Sequence, residues 1–237
     1  MTAIVAHPRC ADVQSIHVLA RSGQLAQDGV SQRLMAGSCR TYQAGECIFR
    51  EGDDAAHVYK VELGCLCIHR SMLDGRRQII DFAYPGDFIG LAVLKEHSTN
   101  AETLNLVRLR SYSKARLHQS AQNDAQLGLR LFELVSRELS AAQRMLFTLN
   151  KRSACERVAN FLVDLSKRME RNGGDPFLLV LPMTRADIGD LLGLTIETVS
   201  RTMSKFRQCG LISLTQCAIV TIVDIEALGK IANGAFK

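Results

Sequence analysis

The stretch "RADIGDLLGLTIETVSRTMSKF", residues 185–206, decides the fold of the C-terminal part of the chain. It has the pattern of two short amphipathic helices separated by Gly193, which gives the backbone the freedom to turn. Thr184 and Thr195 stand where hydroxyl side chains cap the N termini of helices. The second helix has one apolar face, which we expect to pack on the domain, made of Ile196, Val199, Met203 and Phe206. The pattern predicts a helix-turn-helix.

The opposite face of the second helix is polar and suits the edges of bases. A carboxylate can accept from cytosine N4, an arginine can fork onto guanine O6 and N7, and a serine can serve either. We expect these base contacts from Glu197, Ser200 and Arg201. Phosphates would be held by Thr184, Arg185, Thr195, Thr198 and Lys205. The alternative for Glu197 and Arg201 is a solvated i, i+4 ion pair, but their place on an exposed second helix favours the DNA contact.

The flanking sequence extends this motif into a larger domain over residues 154–237. A helix is predicted from Ala154 to Arg168 and a short strand at "LLVLPM", residues 178–183. After the two helices, "GLISLTQCAIVTIVD", residues 210–224, reads as two strands joined by a polar turn around Gln216. The order of helix, strand, helix, turn, helix and hairpin predicts a winged helix-turn-helix.

The N-terminal half has the sequence pattern of an antiparallel β-protein. Turn signals recur between short β-branched runs, at Gly45, Gly52, Gly64, Gly75 and the pair Pro85-Gly86. Short strands at this spacing predict an antiparallel sandwich or β-roll over residues 37–125. Residues 1–36 are expected to form a partly helical extension. With the winged domain, the fold class is α+β.

A long helix is predicted between the two domains, at residues 126–153. It carries apolar residues spaced 3, 4, 3, 4, 3, which is a heptad seam: Phe132, Val135, Leu139, Ala142, Leu146 and Leu149. The seam could instead pack on the chain's own β-roll. A second apolar edge, at Leu131, Leu134 and Met145, would let the helix touch its own domain and a twin at once. We therefore expect a homodimer that forms without a ligand.

Composition sets the outer limits. The 237 residues carry a net charge of +5, which permits a polyanionic partner without requiring one. No apolar run reaches the roughly 18 residues of a membrane span and no export signal is visible, so a cytoplasmic protein without a membrane partner is expected. The eight cysteines include no C-x-x-C pair, and we expect reduced, mostly buried thiols and no metal. Cys155 and Cys209 are candidate redox thiols, although inert thiols are favoured.

From about residue 37 onward the chain resembles the CRP/FNR superfamily of bacterial transcription regulators, and most of all its FNR and FixK branch. "LTIETVSR", residues 194–201, matches the recognition motif E-x-x-S-R, and "GDFIGL", residues 86–91, matches the β-roll signature. The resemblance implies base reading by Glu197, Ser200 and Arg201 on a palindrome similar to TTGAT-N4-ATCAA. It also implies a dimer with recognition helices about 34 Å apart in successive major grooves of double-stranded DNA.

Further expectations come from the same resemblance. The protein would activate transcription in low-oxygen or nitrogen-fixation control, through contacts with RNA polymerase. Candidate surfaces for the polymerase are the exposed β-roll loops and the "RNGGDPF" turn, residues 171–177. A repressor would be equally compatible with DNA binding.

Departures from the family pattern argue against two of its effectors, and no cofactor is predicted. Cyclic-nucleotide-binding members have a glutamate soon after "GDFIG" and an Arg-Ser pair further on, whereas this chain has Leu91 and the pair Thr99-Asn100. Only Cys10 precedes Cys39, so four thiolates for an iron–sulfur cluster cannot be gathered. Sensing by other proteins upstream is the interpretation that these departures favour.

Several alternatives stay open or are disfavoured. A small ligand in the β-roll or a thiol switch would make the same protein gated. Haem lacks a local ligand pattern, since the candidate histidines are isolated: His17, His57, His69, His97 and His118. A β-barrel metalloenzyme would need converging histidines, often H-x-H, which the sequence lacks. No nucleophile elbow or P-loop is found, so an enzyme is not expected.

Overall fold

The computed structural model describes residues 37–72, 74–91, 95–151, 153–215 and 218–234. The predicted extension at residues 1–36, with Cys10 and His17, and the predicted turn at Gln216 lie outside these ranges. The first eight strands are β1 (Ser38–Tyr42), β2 (Cys47–Phe49), β3 (His57–Leu63), β4 (Leu66–Ser71), β5 (Arg77–Ala83), β6 (Phe88–Ile89), β7 (Asn100–Thr103) and β8 (Val107–Ser113).

These strands form two four-stranded antiparallel sheets, in the orders β1-β8-β3-β6 and β2-β7-β4-β5. Their inner faces enclose an apolar core that includes Val61, Leu66, Ala101 and Val107, all with 0% exposure. Neighbouring side chains of a strand point to opposite faces of the sheet, so Leu66 lies in this core and Cys67 lies outside it. The prediction of an antiparallel β-roll is confirmed.

Cys65 and Cys67 mark the side of the roll that faces the rest of the chain. Both are buried, and they belong to a cluster that also contains Leu162 and Ile188 of the C-terminal domain. Burial raises the pKa of Cys67 to about 12, and it raises that of Cys65 as well. The two thiols are therefore uncharged filler between the β-roll and the winged domain.

Two helices follow the roll, α1 (Lys114–Asn123) and α2 (Ala125–Lys151). Helix α1 was not predicted, because its polar sequence has a weak period and only Leu117 is buried. Asp124 separates the helices, and its Oδ1 accepts from the backbone N–H of Gln126 and Leu127. The predicted helix at 126–153 thus corresponds to α2, which ends where the next helix is capped.

The predicted seam lies on the side of α2 that its own chain leaves uncovered. Phe132, Leu139 and Leu146 are 70%, 60% and 63% exposed. Val135 and Ala142 are also exposed, and Leu149 at the end is half-buried. In contrast, the second apolar edge of Leu131, Leu134 and Met145 packs on the chain's own clusters.

The C-terminal domain begins with α3 (Ala154–Arg171), three residues longer than predicted at its C-terminal end. It continues with β9 (Leu178–Val180), α4 (Arg185–Leu192), α5 (Ile196–Gln208), β10 (Ile212–Thr215), β11 (Ile219–Ile222) and α6 (Ile225–Ala232). The strands form one antiparallel sheet in the order β10-β11-β9. The winged helix-turn-helix is confirmed.

Helix α6 was not predicted from the sequence, and it buries Leu228 and Ile231 in the core. No helix within the described ranges is long and apolar enough to cross a bilayer.

Candidate nucleic-acid interface

The first helix of the motif, α4, begins with a reciprocal cap. Thr184 Oγ1 accepts from Asp187 N at 3.1 Å, and Asp187 Oδ2 accepts from Thr184 N at 2.8 Å. This capping box satisfies two backbone donors that the helix leaves without partners. The expected cap at Thr184 is therefore present in the structure.

The turn between the helices depends on two glycines. Gly193 has a left-handed φ of 62°, which an L side chain adopts only with strain. At Gly189, a Cβ would lie 2.6 Å from the carbonyl oxygen of Leu194, so the chain could not pass this close with any other residue. The turn at Gly193 was predicted from the sequence, whereas the close approach at Gly189 was not.

A side chain from outside the motif supports the turn. Arg157 on α3 donates from Nη1 to the carbonyl oxygens of Leu192 at 3.0 Å and Gly193 at 3.3 Å. These carbonyls end α4, where a cation is favoured by the helix dipole. Arg157 had no local signal in the sequence, since its partners are 35 and 36 residues away.

The second helix, α5, packs on the domain through its apolar face. Val199, Met203 and Phe206 are 0%, 2% and 2% exposed, and burying side chains of this size stabilises the fold by roughly 1.5–3 kcal/mol each. Thr202 joins this buried face by donating to the carbonyl of Thr198 at 2.8 Å. The first turn is capped by Thr195, whose Oγ1 accepts from Thr198 N at 3.3 Å.

Ile196 does not belong to the buried apolar face of α5, contrary to the prediction. It was expected to pack inward with Val199, but its side chain is 47% exposed. At 100° per residue, Ile196 lies about 60° around the axis from Val199 and about 40° from Ser200. Because it is the first residue of α5, the core does not extend beneath it. An apolar side chain therefore stands at the border of the polar face.

The predicted base-reading residues share one open surface. Glu197, Ser200 and Arg201 are all exposed on α5, and Ser204 one turn further is half-buried. The described structure contains no contact ion pair between Glu197 and Arg201. Hydrogen bonds from the backbone N–H of Glu197 and from the Thr195 hydroxyl lower the pKa of Glu197, and the charge of Arg201 contributes less. The carboxylate is thus a charged acceptor at the start of the helix.

The predicted phosphate contacts lie at the N-terminal ends of α4 and α5 and on the side of α5. Thr184, Thr195 and Lys205 are exposed, whereas Arg185 and Thr198 are half-buried. The hydroxyls of Thr195 and Thr198 are 3.1 Å apart. Helix N termini with exposed hydroxyls and cations are suited to phosphate oxygens.

The candidate redox thiols lie behind α5. Cys209 follows the helix and is exposed, and Cys155 at the start of α3 is half-buried. Both line one small cavity together with Phe206, Leu211 and Ile231. The structure thus brings together two cysteines that are 54 residues apart in the sequence.

In the β-roll, one of the positions that depart from the nucleotide-binding pattern, Asn100, has a structural role. Asn100 Oδ1 accepts from Glu51 N at 3.1 Å, and Asn100 Nδ2 donates to the carbonyl of His69 at 3.3 Å. Both ends of the Asn100 amide are therefore hydrogen-bonded to the backbone of the β-roll. Among the residues that the structure describes, no group of three or more His, Cys, Asp or Glu side chains could hold a metal ion.

Comparisons with known proteins agree with this architecture. Residues 156–231 match the Crp-like helix-turn-helix domain family, and residues 39–124 match the cyclic nucleotide-binding domain family. The nitrogen fixation regulation protein FixK of Bradyrhizobium diazoefficiens is 39% identical over 79% of this chain and 80% of its own length. The transcriptional activatory protein AadR of Rhodopseudomonas palustris is 37% identical over 84% of each chain.

A solved structure of high similarity is that of FixK2 from Bradyrhizobium japonicum. It has a TM-score of 0.77 and 32% sequence identity, with coverage of 83% of this chain and 97% of that one. The similarity extends over both the β-roll and the winged domain. The chain belongs to the CRP/FNR superfamily of DNA-binding transcription regulators, in its FNR and FixK branch, and is a regulator rather than an enzyme.

Proposed function

We propose that this chain acts in the cytoplasm as a homodimer that binds a palindrome similar to TTGAT-N4-ATCAA and activates transcription. It would do so without a cyclic nucleotide or an iron–sulfur cluster. The observation that carries the proposal is the open polar face of α5, where Glu197, Ser200 and Arg201 are exposed on a helix whose back is fully buried.

The homodimer is supported by the exposed seam of α2. Its large apolar side chains form one stripe, while soluble monomers rarely expose contiguous apolar surface of this kind. A heptad stripe is covered most simply by the same stripe of a second copy. Two copies would then present two α5 helices, which in a two-fold dimer meet half-sites about one duplex turn apart.

Ile196 adds an apolar contact to the three polar ones. A thymine presents a methyl group in the major groove, and apolar side chains are suited to it. Ile196 is next to Glu197 and within one turn of Ser200, so it would meet the bases beside theirs. The DNA strand that reads TTGAT contains three thymines in each half-site.

The regulatory setting is inferred from the relatives. FixK of Bradyrhizobium diazoefficiens is named a nitrogen fixation regulation protein, and AadR is named a transcriptional activatory protein. We propose activation in nitrogen-fixation or low-oxygen control, with RNA polymerase contacted by the β-roll loops and the turn at residues 171–177. In that turn Asp175 and Phe177 are exposed.

Fluorescence anisotropy with the purified, untreated protein tests this function. Labelled duplexes would carry TTGAT-N4-ATCAA, the same palindrome with both half-sites scrambled, or one half-site only, each with and without cyclic AMP. We expect tight binding to the intact palindrome alone, a steep loss of affinity with added salt, and no effect of the nucleotide. Equal affinity for the scrambled duplex, or binding only with the nucleotide, would contradict the proposal.

Thiol gating is a second candidate, favoured by the shared cavity of Cys155 and Cys209 beneath the C-terminal end of α5. Oxidation or modification of either thiol would disturb the packing of Phe206. Alkylation of the purified protein with N-ethylmaleimide separates the two candidates. Unchanged operator affinity supports ungated binding, and a loss that Cys209→Ser abolishes supports the gate.

A further inference from the structure

The winged domain is packed on the β-roll of its own chain along β5. Ile79, Phe82 and Tyr84 from the roll belong to the same buried cluster as Ile188 of α4 and Val199 of α5. The Tyr84 hydroxyl also reaches the sulfur of Met183, at 3.7 Å, just before α4. The helix-turn-helix therefore shares its apolar core with the roll, although such a core alone does not fix one orientation.

The polar contacts of Arg168 fix how the winged domain is oriented on the β-roll. Arg168 on α3 has a side chain that is 17% exposed, and Nη2 lies 2.9 Å from Asp81 Oδ2. Its Nη1 donates to the carbonyl of Phe82 at 2.6 Å and lies 3.6 Å from Asp87 Oδ2. The charge of Glu138 on α2 also acts on it. A planar guanidinium between two carboxylates and a carbonyl permits little rotation of α3 on the roll.

A second contact fixes the end of the same helix. Asn172, which caps α3, donates from Nδ2 to the carbonyl of Pro85 at 2.8 Å. Gly86 has a φ of 97°, and a Cβ there would lie 2.6 Å from the Asn172 side chain. The turn "YPGD" at residues 84–87 is thus shaped to receive α3, with Asp87 shared between the turn and Arg168.

We propose that Arg168 is a positioning residue for operator binding, clamped by Asp81 and Asp87 so that the β-roll holds the winged domain in one orientation without a ligand. Among the described residues, the hydrogen bonds and ion pairs of the Arg168 side chain are all with the β-roll, so this side chain orients the winged domain rather than building it. The contacts use α3 and leave Glu197, Ser200 and Arg201 exposed. The inference rests on the proposed function.

Operators of different geometry distinguish orientation from a purely structural role. A full palindrome needs two winged domains at a fixed separation, whereas a single half-site needs only one. With the domains freed, the competent arrangement is a fraction of the population, and the apparent affinity falls by that fraction. The variants are Arg168→Lys, which loses the planar fork, and Asp81→Asn, whose parent side chain is 41% exposed. Arg130→Lys, at an exposed ion pair on α2, is the matched control.

We expect Arg168→Lys and Asp81→Asn to bind the N4 palindrome about tenfold more weakly, in proportion to the lost competent population, with half-site affinity unchanged. Their preference for the N4 spacer over N5 and N6 spacers should narrow as well. Equal losses on palindrome and half-site, unchanged spacing preference, or tighter binding would each overturn the proposal. If Arg168→Lys fails to fold, Asp81→Asn decides.

Small-angle X-ray scattering of the free protein tests the clamp without an operator. We expect a larger radius of gyration for Arg168→Lys and Asp81→Asn than for the wild type and Arg130→Lys. Unchanged scattering from both folded variants would overturn the clamp. If the wild-type protein bound the palindrome no better than the scrambled duplex, the proposed function would be wrong. The scattering result would still decide for or against the clamp.

Discussion

Helices α2 and α5 are both amphipathic, but the faces that their own chain leaves uncovered differ in polarity. In α5 the apolar face is buried and the polar face is exposed, whereas in α2 the apolar seam is exposed and a second apolar edge is partly buried. An uncovered polar face with a carboxylate, a serine and an arginine suits base edges. An uncovered apolar stripe with a heptad spacing suits another copy of itself. We therefore propose that α5 contacts DNA and that α2 pairs with a second copy of the chain.

The largest expected effect comes from charging the seam. Leu139→Glu should convert the proposed dimer to a monomer, because both copies would lose a buried leucine, at a cost of about 3–6 kcal/mol per dimer. The monomer should stay folded, since Leu139 is 60% exposed in the single chain. Sedimentation velocity measures the change. Ser140→Glu places the same charge one residue away on an exposed position and should leave the dimer intact. A dimer that survives Leu139→Glu would refute the role of the seam.

A smaller and more selective effect is expected at the polar front. Arg201→Ala should lower discrimination at one base pair per half-site by about 1–3 kcal/mol, because the guanine loses a bidentate partner. Lys205→Ala is the control on the same helix, and it should weaken all operators alike and reduce the salt dependence. Competition binding with each base pair varied in turn provides the measurement. If Arg201→Ala binds every sequence variant with the same ratios as the wild type, the base contact is wrong.

Ile196 should contribute about 1 kcal/mol, the value of one or two buried methyl groups. Replacing operator thymines with deoxyuridine removes only the methyl group, so the wild type should lose affinity at one such position. Ile196→Ala should be weaker on the thymine operator and insensitive to the replacement. A variant that still distinguishes thymine from deoxyuridine would show that another side chain meets the methyl group.

The smallest effect is expected from the charged flank of α2. Arg130 and Glu133 form an exposed ion pair at 3.3 Å, and such pairs contribute about 0.5 kcal/mol or less. Arg130→Ala should therefore leave both the dimer and operator binding nearly unchanged in sedimentation and anisotropy. A large loss would mean that charge, rather than the apolar seam, holds the two copies.

Local patterns made much of this architecture predictable. The caps at Thr184 and Thr195, the turn at Gly193 and the heptad on α2 depend on residues that are near one another in the chain. The prediction that Ile196 packs inward is wrong, because helical periodicity cannot tell where the core ends beneath a first turn. The roles of the base-reading and phosphate residues stay predictions.

Other features depend on contacts that no local pattern records. Arg168 contacts partners that are 81 to 87 residues away, and Arg157 contacts the turn 35 and 36 residues away. Helix α1 has too few apolar residues to show a clear period, and α6 follows the hairpin at which the predicted winged motif was complete. Sequence reasoning therefore identifies the surface that would read DNA more readily than the contacts that orient it.

Hydroxyl-radical footprinting of the purified, untreated protein on a duplex with TTGAT-N4-ATCAA tests the central claim most directly. Two open α5 fronts on one dimer should protect two patches on the same side of the duplex, about 10 base pairs apart from centre to centre. Arg201→Ala should weaken both patches together. Protection of a single half-site, protection without regard to sequence, or no protection until a ligand is added would contradict it.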